Sequence, residues 1–221
     1  MTWVKICGMT NLEDALVAVD AGADAVGFVF YEKSPRCVTV ERAREICEKL
    51  PESVEKVGVF VNESPKRVSE IADRTRLTAV QFHGDEYKNP DRYYTDRRLF
   101  FALPAAEFLN DPEGPIGEFV LPRFPDSSGI LLDSGVPEKR GGTGKTFAWG
   151  EARWLVSALT RLYSVVLAGG LTPSNVKRAA EFLKPWGVDV VSGVEASPGK
   201  KDAEKVRAFV RAVREYDRKA G

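Results

Sequence analysis

The sequence predicts an α/β fold, specifically a (β/α)₈ TIM barrel, and three observations carry that reading. Eight short apolar runs alternate with helical patterns along 221 residues. The connections are short, and polar or reactive residues recur directly after the apolar runs. No Gly-x-Gly-x-x-Gly follows the first strand, which disfavours an open doubly wound sheet. The length is at the low end for a barrel, so one domain over residues 1–221 without large insertions is expected.

The first strand, Trp3 to Ile6, ends abruptly at Cys7-Gly8, and Thr10-x-x-Glu13 reads as a capping box for a helix from Asn11 to Asp20 that stops at Gly22. Ala25 to Phe30 is a continuous apolar run, as a strand buried on both faces requires. The helix expected over Val40 to Leu50 places Ala43, Ile46, Cys47 and Leu50 on one stripe. Lys56 to Val61 is the third strand, and Ser64-Pro65 starts a helix reaching Arg74. Thr78 to Phe82 is the fourth strand, followed by a weak helical pattern from Tyr87 to Arg97.

Leu99 to Leu103 forms the fifth strand. Pro104, Pro112, Pro115, Pro122 and Pro125 then interrupt the pattern, so helix 5 is expected to be short or irregular. Ile130 to Leu132 leads to Asp133, and a helix is expected from Trp149 to Leu162. Ser164 to Leu167 is strand seven, and Thr172-Pro173 is read as a helix start like Ser64-Pro65. Val188 to Val191 is strand eight. The last helix, Asp202 to Arg218, carries Val206, Phe209, Val210 and Val213 at helical spacing.

Composition narrows the possible partners. Hydrophobic residues at 43% can build a substantial core, and 32 basic against 32 acidic residues argue against nucleic acid or an anionic membrane. Met1 to Lys5 leads straight into a strand and no apolar run reaches spanning length, so no targeting or membrane segment is expected. Cys7, Cys37 and Cys47 lack metal-ligand spacing, which points to free thiols in a reducing cytoplasm. One histidine cannot build a His-rich site, and no metal is expected.

In a barrel of this kind the carboxyl ends of the strands share one face. Those ends carry Cys7, Ser34-Pro35-Arg36, Val61-Asn62, His83-Gly84, Asp133, Ala168-Gly169-Gly170 and Ser192-Gly193. Each alone has a plain explanation: a small buried hydrophobe for Cys7, a surface charge for Arg36, a structural histidine for His83, a turn cap for Asp133. Gathered on one face, they make a site. Gly169-Gly170 and Ser192-Gly193, after the last two strands, stand where barrels bind phosphate through backbone N–H groups. Gly141-Gly142-Thr143-Gly144-Lys145 lacks P-loop spacing and reads as a lid or a plain turn.

Lys5-Ile6-Cys7-Gly8, Gly27-Phe28-Val29-Phe30 with Ser34-Pro35-Arg36, Val80-Gln81-Phe82-His83-Gly84-Asp85, Leu131-Leu132-Asp133, Gly141-Gly142-Thr143-Gly144, Ala168-Gly169-Gly170-Leu171 and Ser192-Gly193-Val194-Glu195 together resemble the motif set of the phosphoribosylanthranilate isomerase family. The resemblance spans nearly the whole chain in the right order. It implies an isomerase of tryptophan biosynthesis that performs an Amadori rearrangement on a small phosphorylated substrate without a cofactor; the chain is expected to be a monomer or homodimer, a choice the sequence leaves open. It also implies Asp133 as general acid, Cys7 as general base and Arg36 as the partner of the anthranilate carboxylate, with His83 and Asp189 in the same pocket. An ordinary thiol is only about 3% ionised at pH 7, so the site must lower the pKa of Cys7 or work with that fraction.

Three departures stand out. Cys37 replaces an aromatic after Ser34-Pro35-Arg36, bringing a second thiol toward the site. Phe147-Ala148-Trp149 lacks the usual aspartate, removing a helix N-cap worth about 1 kcal/mol. The stretch from Pro104 to Ser128 matches nothing specific. Two other functions compete. A histidine-pathway sugar-phosphate isomerase is expected to use aspartates as both acid and base, which Cys7 disfavours. A non-catalytic phosphometabolite-binding barrel would keep the glycine loops while losing Cys7 or Asp133.

Overall fold

A computed structural model describes residues 1–85, 96–109, 129–133 and 149–220. Eight parallel strands close a barrel in sequence order: β1 (Trp3–Cys7), β2 (Ala25–Val29), β3 (Glu55–Phe60), β4 (Ala79–Phe82), β5 (Arg98–Pro104), β6 (Gly129–Asp133), β7 (Ser164–Leu167) and β8 (Gly187–Val190). The seam is the β1–β8 pairing, in which Lys5 lies opposite Asp189. Around the barrel run α1 (Leu12–Asp20), α2 (Val40–Cys47), α3 (Pro65–Thr75), the short α4 (Ala105–Leu109), α5 (Trp149–Leu159), α6 (Val176–Leu183) and α7 (Ala203–Ala220). After β8 come a 3₁₀ turn (Ser192–Val194) and a small antiparallel pair, β9 (Glu195–Ser197) and β10 (Lys200–Lys201).

Strand periodicity explains why the strands read as unbroken apolar runs. Successive side chains face opposite sides, and here both sides are covered. Val4, Ile6, Val26 and Phe28 face the helices within the large core. Ala25, Val57, Ala79, Phe100, Leu131 and Val166 make a second cluster, with Trp3 and Trp186 packed against it. Phe100 occupies space that Gly129 leaves open: a Cβ at Gly129 would lie 2.3 Å from the ring. Opposite Val4 and Ile6 on β1, the alternate face carries Lys5 and Cys7, both buried.

Two helix starts differ from the sequence expectation. Asn11, not Thr10, caps α1, its Oδ1 accepting from the Asp14 N–H at 2.9 Å. Thr10 instead donates its hydroxyl to the Gly199 carbonyl at 2.6 Å, and the Asp14 carboxylate accepts from the Lys201 N–H at 2.7 Å and the Lys200 Nζ at 2.9 Å. The α1 start therefore fastens the β9–β10 pair. The second difference concerns Thr172-Pro173. Helix α6 begins at Val176 after Asn175, which makes no side-chain cap bond. Ser64 does cap α3, accepting from the Arg67 N–H at 3.3 Å.

Helix α4 is described over Ala105–Leu109, and the stretch that follows it lies outside the described residues. Most of the weak pattern over Tyr87 to Arg97, the stretch 110–128 and the glycine-rich segment Gly141 to Lys145 fall outside the described residues. So do Phe147 and Ala148, and α5 is described from Trp149 onward. No described helix is long and apolar enough to cross a membrane.

Candidate active site

The strand ends open into a cavity of about 510 Å³, within the usual range for a small-molecule site. Cys7, Arg36, His83, Asp133 and Asp189 all border it, as do Gly169-Gly170 and Ser192-Gly193. The catalytic, substrate-binding and phosphate-binding candidates from the sequence thus border one space. The exception is the extra thiol: Cys37 is exposed and forms no part of the described cavity wall. The three cysteines are free.

Asp133 ends β6, nearly buried, and its Oδ2 lies 3.0 Å from Nε2 of His83, at the end of β4. Gln81, two residues earlier on β4 and so on the same face, places its amide nitrogen 3.3 Å from His83 Nδ1. The strand end thus sets the imidazole between a carboxyl and an amide.

Arg36 is held differently from the free fork its motif suggests. Its Nε and Nη2 donate to the two Glu195 oxygens at 2.8 and 2.7 Å. Lys201 Nζ and the Gly199 N–H also donate to Glu195 Oε1, each at 3.2 Å. Burial pushes the Glu195 carboxyl up, but these partners outweigh it and hold the group below its ordinary range. Glu195 takes only one side of the guanidinium. Among the described residues no hydrogen bond takes the end formed by Nη1 and the second Nη2 hydrogen, whose fork suits a planar anion.

Cys7 is 3% exposed. Burial is the main influence on its thiol, and the net effect raises its pKa above the ordinary value, with the Lys5 and Lys201 charges opposing. Of the two possibilities in the sequence, a lowered pKa is therefore not what the site provides.

The glycine loops have specific backbone reasons. Gly169 and Gly170 adopt φ of +77° and +64°, a conformation costly for other residues. Asn175 braces that loop, its Oδ1 accepting from the Thr172 N–H at 2.8 Å and its Nδ2 donating to the Gly170 carbonyl at 2.9 Å. A Cβ on Gly193 would fall 1.9 Å from the Leu171 carbonyl oxygen, so the two loops pack backbone to backbone only because glycine stands there.

Sequence reasoning gave no role to Lys5, Gln81, Glu195 or Lys201. The available signal was polarity in the wrong place: Lys5 and Gln81 interrupt apolar strands and are 0% and 2% exposed. Glu195 and Lys201 carry no such mark, because their stretch has no strong period.

The strand ends thus gather a thiol, a carboxyl and two glycine loops around one cavity, as an enzyme site on a (β/α)₈ barrel does. Residues 4–212 match the family model described as N-(5'phosphoribosyl)anthranilate (PRA) isomerase. The N-(5'-phosphoribosyl)anthranilate isomerase of Trichlorobacter lovleyi is 47% identical over 216 residues, covering 97% of this chain and 99% of that protein. The crystal structure of the Thermotoga maritima enzyme superposes with a TM-score of 0.83 at 42% identity, covering 97% of this chain and all of that one. A further solved structure, of a phosphoribosyl anthranilate isomerase in complex with reduced 1-(o-carboxyphenylamino)-1-deoxyribulose 5-phosphate, has a TM-score of 0.78 at 38% identity, covering 97% of this chain and 100% of that chain. The chain belongs to the phosphoribosylanthranilate isomerase family.

Proposed function

We infer that the protein converts N-(5'-phosphoribosyl)anthranilate to 1-(2-carboxyphenylamino)-1-deoxyribulose 5-phosphate in tryptophan biosynthesis. The observation that carries this reading is the convergence of Cys7 and Asp133 on one cavity within a chain of this family. In the first step Asp133 gives its proton to the furanose ring oxygen. The C1–O bond breaks as the anilino nitrogen lone pair forms a C=N bond, leaving an open-chain Schiff base. In the second step the Cys7 thiolate takes the proton from C2, and the C2–H electrons move toward nitrogen to give an enolamine. Transfer of the C2 hydroxyl proton to C1 yields the ketone. Exchange with water then returns a proton to Asp133 and takes one from Cys7; ring opening and C2 deprotonation each move one proton through a placed group, which is general acid–base catalysis.

The remaining residues bind. The open end of Arg36 suits the anthranilate carboxylate, with Glu195 fixing the guanidinium plane. Backbone donors of Gly169, Gly170, Ser192 and Gly193 suit the phosphate, and His83 and Asp189 border the sugar. A cytoplasmic location and a monomeric or homodimeric state accompany this reading; a Thermotoga maritima relative is described as dimeric, with monomers generated from it.

Loss of substrate fluorescence on mixing with purified protein tests the activity directly, and no loss at any enzyme concentration would overturn it. Arg36→Met separates binding from chemistry. Charge-assisted hydrogen bonds of about 1.5–3 kcal/mol correspond to a KM raised about 10- to 150-fold, with kcat much less changed. Steady-state kinetics with an unaltered KM would remove Arg36 from the carboxylate site.

A further inference from the structure

We propose that Lys5 is a positioning residue for the proton-transfer step: its ammonium, kept charged inside the barrel by Asp189, sits beside the Cys7 sulfur and stabilises the thiolate. The proposal rests on the reading of Cys7 as the base, and it assigns a role to a side chain that reading leaves unused.

Lys5 is completely buried, and lysines are almost never so unless paired. Its Nζ lies 2.9 Å from Asp189 Oδ1 across the β1–β8 seam. As a stability device this pair is poor, because a buried ion pair is often replaced by apolar residues without loss. Its location explains it better. Lys5 and Cys7 are two residues apart on β1, so both side chains leave the same face. Gly27, opposite Cys7 on β2, leaves the space into which both turn: a Cβ there would lie 2.5 Å from Cys7 Sγ and 3.0 Å from Lys5 Cε. The lysine stem and the sulfur therefore meet in one small volume.

The charges around the thiol form an ordered set. Lys5 approaches from β1, Asp189 from β8 and Lys201 from β10. Arg36 reaches in after β2 and is itself neutralised by Glu195. Burial opposes thiolate formation most, and Lys5 is the strongest influence favouring it. Burial also works against the Lys5 charge, but Asp189 and Cys7 outweigh it and the ammonium is retained. Asp189 has a second effect, since its negative charge limits how far the thiolate is stabilised. A thiolate stabilised without limit would be a weak base; the Lys5–Asp189 pair keeps it formable and still basic.

The test follows the thiol itself rather than turnover. Protein carrying 13C at the cysteine Cβ is titrated by NMR, and Cys7→Ser identifies the Cys7 signal. Lys5→Met is expected to move the Cys7 midpoint up by about 1–3 pH units, the size an opposite charge at close range exerts. The double variant Lys5→Met/Asp189→Asn removes both charges and should titrate between wild type and Lys5→Met. The rise of kcat/KM with pH should shift in the same order. A Lys5→Met midpoint equal to wild type overturns the proposal. If Lys5→Met does not fold, the double variant, which buries no lone carboxylate, decides it: a midpoint at or below wild type is fatal. Should Cys7→Ser keep normal turnover, the base assignment fails separately, because the titration order is read without turnover.

Discussion

Serine in place of Cys7, or asparagine in place of Asp133, is expected to lower kcat by at least about 10²–10⁴-fold, the usual contribution of a placed proton-transfer group. Affinity for the reduced product analogue should stay within about tenfold, since neither group acts mainly on the bound ground state. Asparagine keeps much of the carboxyl shape beside His83 while removing the proton, so its effect isolates the acid role. The two variants should also differ in pH behaviour. Burial raises the Cys7 thiol above its ordinary value, so the basic form grows as pH rises and kcat/KM should climb on the alkaline side. Serine cannot ionise in that range, and the climb should vanish in Cys7→Ser. A serine variant with near-normal kcat would show that the sulfur only packs.

Valine at position 193 should have the second largest effect. Its Cβ would begin 1.9 Å from the Leu171 carbonyl oxygen, and backbone cannot yield as a side-chain tip does. The loop after β8 must move away from the loop after β7, separating the two sets of donors assigned to the phosphate. Misplacement by about 1 Å is worth about 10²-fold, and here it should fall mostly on KM. Inhibition by inorganic phosphate should weaken in parallel. Overpacking of this kind also costs about 1–3 kcal/mol of stability, so thermal unfolding should be measured on the same sample. Unchanged phosphate inhibition in a folded Gly193→Val protein would place the phosphate elsewhere.

The barrel was legible because its strands are short, apolar and bounded by polar punctuation. Ser164–Leu167 is the same in sequence and structure, and other strand ends shift by one residue or so. Local chemistry was less legible where a long-range partner took over. Thr10 has the right spacing for a cap, but the Gly199 carbonyl, 189 residues away, claims its hydroxyl and Asn11 caps instead. Thr172-Pro173 matches a helix start, yet Asn175 braces the Gly170 loop and the helix begins later. Cys7, Asp133 and Arg36 were found because they terminate strands or follow a motif. Glu195 was quoted with a motif, yet its hold on Arg36 depends on chain closure that no local pattern encodes.

The seam between β1 and β8 has a consequence for how the chain matures during synthesis. Lys5 is made almost at once, but its carboxylate partner lies 184 residues later, and Glu195 lies 159 residues after Arg36. At roughly 5–20 residues per second, Lys5 waits roughly 10–40 s for Asp189 to be translated. During that wait a closed interior would hold an ammonium without a counter-charge, which is strongly unfavourable. Sealing β1 into the barrel with its ammonium neutralised therefore requires β8, although β1 is made first. The Lys5–Asp189 pair beside Cys7 cannot form until Asp189 has been translated, so chains that stop short of it carry neither that pair nor a closed β1–β8 seam.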